Sequence, residues 1–217
     1  PTGDGVSHET GLPLEWSETE HVVWTTDLPA WGNSTPAIWG DAMFLTVQHD
    51  DGKLQVLRIN AVDGKIVWTR DVGAAETVRE AEKRSVQKFH RLHNGASPSP
   101  VTDGETVFIH FGNGDLAAFD FAGNQLWKRN LQDDYGPYSI WWGHANSPVV
   151  FGDTVISVCM QDSLEGATTE AASKKALSYL VAHDKRTGAV RWYTPRPTAA
   201  EAEQFGSYTS PVFHPTA

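Results

Sequence analysis

Three imidazoles are the first residues in this sequence that could do chemistry. His90 and His93 stand three apart in Phe89-His90-Arg91-Leu92-His93-Asn94-Gly95, and His144 follows in Trp141-Trp142-Gly143-His144-Ala145-Asn146. Neutral imidazole nitrogens so spaced could ligate a metal ion. No carboxylate stands beside them to complete a ligand set, so bonding to loop backbone is the plainer reading. Trp141 and Trp142 could stack on a planar ligand or wedge between neighbouring sheets. Asp133-Asp134 could help hold a cation, although a solvated turn explains the pair more simply. The Lys83-Arg84 and Lys174-Lys175 pairs read as wet faces, and Gly112-Asn113-Gly114 as a hairpin turn rather than a phosphate loop. Cys159, the only cysteine, sits in Val158-Cys159-Met160 and reads as a small buried hydrophobe.

The elements that position these side chains form a repeat. Ala182-His183-Asp184-Lys185-Arg186-Thr187-Gly188-Ala189-Val190-Arg191-Trp192 reads as a strand, a tight turn and a second strand ending in tryptophan. Asp184 can accept from turn amides, and Gly188 can take the positive φ that the turn needs. The unit occurs earlier from Ile59 to Trp68 and, one residue shorter, from Phe119 to Trp127. Trp24 matches only its last strand. A second signal repeats with it: Thr35-Pro36, Ser99-Pro100, Ser147-Pro148 and Ser210-Pro211 each open an apolar run. The first three runs reach Gly40-Asp41, Asp103-Gly104 and Gly152-Asp153 turns. Each full unit therefore predicts four antiparallel strands, A to D, at about 34–70, 97–129 and 145–194, with a further unit starting in 208–217. Residues 1–20 read as an irregular arm anchored by Leu12, Leu14 and Trp16.

Composition agrees with an all-β chain rich in turns: 217 residues hold 19 glycines, 12 prolines and nine tryptophans. A net charge of −10 argues against unaided binding to nucleic acid or an anionic membrane surface. No run approaches the ~20 apolar residues of a membrane span. The sequence opens on Pro1 without methionine, so the expectation is that something upstream was removed.

Four-stranded units of about 40–50 residues, each closed by a tryptophan, are the mark of β-propeller blades. The pattern Ala-x-Asp-x-x-Thr-Gly-x-x-x-Trp, complete from Ala182 to Trp192 and weaker in the other copies, resembles the tryptophan-docking repeat of pyrroloquinoline-quinone-type (PQQ-like) propellers. That resemblance implies blade-docking roles for Trp24, Trp68, Trp127 and Trp192, supported by Asp120, Asp184, Gly64, Gly123 and Gly188. It implies relatives among BamB-type lipoproteins of outer-membrane assembly and quinoprotein dehydrogenases, hence a periplasmic or secreted setting. The family usually builds seven or eight blades. These residues are therefore expected to belong to a longer propeller, with the Trp24 strand completing its final blade.

Connection lengths point to the working surface. The A–B and C–D turns are short and nearly constant. The D–A connections vary widely (Trp24 to Pro36, Trp68 to Pro100, Trp127 to Pro148, Trp192 to Pro211), and the third B–C connection swells from Asp162 to Ala176. Strand alternation places all these insertions on one rim, where sites are usually built. Capping-box spacing at Thr77 and Glu80 predicts a short helix in the first insertion. The candidate binding residues on this rim are His90, His93, Asn94, Trp141, Trp142, His144, Asn146 and Tyr208, able to hold a planar ligand, a sugar or a peptide. The expected function is a non-catalytic binding or scaffold propeller whose protein partner or small ligand sits there, with no cofactor. The alternative is a dehydrogenase using PQQ and Ca2+ to oxidise an alcohol or sugar. It needs a carboxylate base beside a metal-polarised quinone. The vicinal cysteine pair of many such alcohol dehydrogenases is missing here, and no Glu/Asn/Asp calcium set is evident. A sensor or accessory domain is a third reading that these residues do not separate from the first.

Overall fold

The computed structural model describes residues 6–75, 92–136, 138, 142–161, 178–196 and 207–212. They form three four-stranded antiparallel sheets, each with its strands side by side in chain order. The first contains β1 (Ala37–Trp39), β2 (Ala42–Gln48), β3 (Lys53–Asn60) and β4 (Ile66–Ala74). The second contains β5 (Val101–Thr102), β6 (Thr106–His110), β7 (Asp115–Asp120) and β8 (Gln125–Asn130), and the third β9 (Val149–Phe151), β10 (Thr154–Cys159), β11 (Tyr179–Asp184) and β12 (Val190–Pro195). This is the β-propeller blade architecture. Three sheets do not close a ring.

Alternation explains how the sheets pack. In β6, Val107 and Ile109 join Phe44, Leu54 and Val56 of the first sheet in one core cluster. Phe108, one residue out of phase, joins Val155, Tyr179 and Val181 of the third sheet in another. The second sheet is thus apolar on both faces because a sheet lies against each. The third has no such cover on its far side among the described residues, where every residue of β12 is exposed.

Each sheet contacts the preceding tryptophan in the same way. The Trp24, Trp68 and Trp127 indoles donate from Nε1 to the carbonyls of Ala61, Phe121 and Lys185, at 3.0, 2.9 and 2.9 Å. Each acceptor directly follows the Asn60, Asp120 or Asp184 that opens the C–D turn. Two residues past each tryptophan, Thr26, Arg70 and Arg129 donate to the carbonyls of Gly64, Gly123 and Gly188. A β-bulge precedes Trp68, Trp127 and Trp192, shifting the pairing between strands C and D. The bulge turns the strand so that the indole projects onto the next sheet. Trp68 and Trp127 are buried to 8% exposure, whereas Trp192 remains 40% exposed.

The turn glycines permit this approach. Gly188 has φ +70°, and a Cβ there would lie 2.8 Å from the Trp127 ring; Gly152, at φ +57°, has nothing within 4 Å. Gly188→Ala should therefore cost about 2–3 kcal/mol and Gly152→Ala only about 1, the backbone penalty alone. Urea unfolding of the two variants measures the difference; equal losses would mean that the indole does not press on the turn.

Asp184 ties its turn together by accepting from the Arg186 and Thr187 amides and the Thr187 hydroxyl. The Arg191 guanidinium bonded to its other oxygen, helped by these donors, pulls its carboxyl down to about 2. Asp120 accepts from Asn124 in the second sheet. Residues 6–20 are exposed, and Ser17 and Glu20 pair there in an isolated bridge.

Candidate functional site

Antiparallel order makes the connections β2–β3, β4–β5, β6–β7, β8–β9 and β10–β11 leave their strands on one rim and leaves the opposite rim to tight turns. The 131–148 connection opens with a feature the sequence reading missed. Asp133-Asp134 is not a solvated turn but part of a short helix, α1 (Leu131–Tyr135), whose N-cap Asn130 accepts from the Gln132 and Asp133 amides. Asp134 pairs with Arg129 at 2.8 Å. Five residues are too few for a strong periodic signal, so only the cap could have announced this helix.

The candidate residues divide into an inner and an outer group. Asn94, His144 and Asn146 are at most 1% exposed, so they lie inside the rim and do not open to solvent. Asn94 donates to the Trp31 carbonyl, and Asn146 donates to the carbonyls of Ser207 and Thr209 on either side of Tyr208. These carboxamides hold the connections in place. His93, partly buried, bonds Ser97 through Nδ1. Trp142 and Tyr208 reach solvent, 39% and 51% exposed. His90, Trp141, the predicted helix after Thr77 and the swollen connection after Asp162 fall outside the described residues.

Behind this surface lies a polar cluster that sequence reasoning did not find. His110, the last residue of β6, bonds the Tyr138 hydroxyl at 3.0 Å, and that hydroxyl lies 3.4 Å from Cys159 Sγ. His144 stacks on Tyr138 at 4.6 Å and lies 4.5 Å from His110. Burial, with His93 nearby, lowers His144 to about 3, and burial lowers His183 to about 4. Burial also pushes the Cys159 thiol up to about 12, so it is a thiol and not a nucleophile. His110 and His183 occupy inward strand positions, where a histidine reads like any other alternating residue. On the same rim, beside the 49–52 turn, a cleft of about 330 Å3 is lined by Pro29, Trp31, His49, Asp50 and Asp51 among others.

The family model described as outer membrane protein assembly factor BamB matches residues 6–179, well over half of the sequence. The chain belongs to this family. Among solved structures, the BamB-family chain resembles a quinohemoprotein alcohol dehydrogenase of Pseudomonas putida at 17% identity, covering 78% of this chain and 21% of that one, with a TM-score of 0.50. The enzyme of the same name from Comamonas testosteroni matches at 20% identity, covering 80% and 23%, also with a TM-score of 0.50. BamB from Moraxella catarrhalis matches at 15% identity, covering 79% and 54%, with a TM-score of 0.43. The chain thus spans less than a quarter of the dehydrogenases and about half of that BamB. At these identities the likeness is one of fold. No curated protein matches the sequence.

Among the described residues no three His, Cys, Asp or Glu side chains are placed to hold a metal ion. The buried polar groups of the rim include the His110 and His144 imidazoles, the Tyr138 phenol, the Cys159 thiol and the Asn94 and Asn146 carboxamides.

Proposed function

We propose that this chain is a non-catalytic binding module of an exported BamB-family propeller, holding a protein partner on the rim that carries the long connections. The carrying observation is the asymmetry of the rims. Every long connection leaves from one side, and Leu92, Trp142 and Tyr208 lie exposed there at 66%, 39% and 51%. Aromatic side chains of this kind supply large contact area at little entropic cost. In this reading the indole-to-turn contacts are docking contacts that keep the sheets rigid beneath the binding face. A role in outer-membrane assembly is the family's description carried to this chain, and a periplasmic location is proposed with it.

Photocrosslinking from single positions in the full-length protein, in living cells, tests the proposal. Reactive side chains at Leu92, Trp142 and Tyr208 should capture a common protein, while Val62 and Asp153 on the opposite rim should not. Equal capture from both rims would reject the assignment of the face. Dye reduction by the full-length protein supplied with PQQ, Ca2+ and an alcohol would reject the non-catalytic role.

A further inference from the structure

The Tyr138–His144–His110 stack buries more imidazole than its hydrogen bonds account for. Both nitrogens of His144 lack a partner, and so does His110 Nδ1 once Nε2 has bonded the Tyr138 hydroxyl. Both histidines are at most 1% exposed. A neutral ring can occupy such a place at moderate cost. A charged one cannot, and two imidazoliums 4.5 Å apart without water between them would also repel each other.

None of the surrounding side chains is available to take up the charge, and the Asn146 backbone favours protonation of His144 far less than burial opposes it. His93, on the connection before β5, faces His144 and disfavours its protonation; His183 on β11 does the same to His110. Cys159 on β10 and Tyr179 on β11 stay protonated because burial raises both. Asp115 on β7, whose charge is felt by Tyr138, is committed to Lys128 at 3.0 Å. Arg129 and Asp134, which face His183, pair with each other.

We propose that this ring stack is an acid-operated latch: neutral His110 and His144 hold residues 142–146 against the second and third sheets, and their protonation releases that segment. Asn146 follows His144 by two residues and grips the backbone on both sides of Tyr208, so release also rearranges the exposed rim. Only this last consequence rests on the rim being the binding face. The sign follows from proton uptake. A released imidazole titrates near ~6.5, whereas latched His144 lies at about 3. The latched state is fully favoured above the released value and loses ground as pH falls toward the latched one. For each imidazole that ionises, the ratio of released to latched rises ~10-fold per pH unit.

Amide hydrogen exchange of Gly143 to Asn146, followed by NMR from about pH 7.5 to about pH 5 and corrected for intrinsic rates, tests the latch without any partner. Protection of these amides should fall ~10-fold or more per pH unit below ~6.5 while β6 and β10 stay protected. His144→Phe, which keeps a stacking ring but cannot titrate, should weaken that dependence, and His110→Phe checks the other imidazole. Protection that is flat with pH, that falls as steeply in both variants as in the unaltered protein, or that is lost together with β6 and β10 would overturn the proposal. Because no partner is present, such a failure would leave the crosslinking result untouched, and the reverse also holds.

Discussion

Trp68→Ala should lower the stability of this chain by about 4 kcal/mol, while Trp192→Ala should cost only about 1. Trp68 is 8% exposed, packs between Phe44 and Phe119 at centroid distances of 6.0 and 6.4 Å, and bears the Arg70 guanidinium 5.4 Å from its ring. Truncation opens a cavity between the first and second sheets and takes the indole donor from the Phe121 carbonyl, although Arg58 still reaches that oxygen. Trp192 has the same place in its repeat but is 40% exposed, so truncation there leaves no comparable void. Urea unfolding of the 217-residue chain, followed by circular dichroism, compares them. Similar losses from the two substitutions would mean that the indole does not join successive sheets.

Lys128→Met should cost about 3 kcal/mol at neutral pH, because it strands a carboxylate that the fold has buried. Asp115 is 4% exposed and pairs with Lys128 Nζ at 3.0 Å. Its oxygens also accept from Asn113 and Asn130, but neither amide supplies a positive charge. The same ammonium donates to the Val72 carbonyl at 2.6 Å, so the pair bridges the first and second sheets. The double variant Asp115→Asn, Lys128→Met should recover most of the loss, since no unpaired charge then remains. A double-mutant cycle by urea unfolding reads the coupling. Additive losses would show that the two side chains act independently and that the bridge contributes nothing as a pair.

Much of the fold was legible because its signals are local. The Asp184 turn needs a short acceptor and a glycine at fixed spacing, and both stand in the sequence as Asp184 and Gly188. The repeat therefore located the strands, and alternation assigned the connections to their two rims. The inner polar cluster was not legible in the same way. Tyr138, His144, His110 and Cys159 come from separate segments, and no spacing along the chain relates them. Nor could the sequence separate residues that face a partner from residues that brace the rim. Trp142 and His144 are two apart, yet one is 39% exposed and the other buried.

By itself, then, the sequence determined a repeated four-stranded unit, because turn chemistry and strand alternation act over a few residues. Only the tertiary structure decided which indoles are enclosed, which carboxylate is buried with its cation, and which imidazoles lie unpartnered in the interior. Those outcomes depend on what the neighbouring sheet brings to each position, and burial by a distant segment leaves no trace in local spacing.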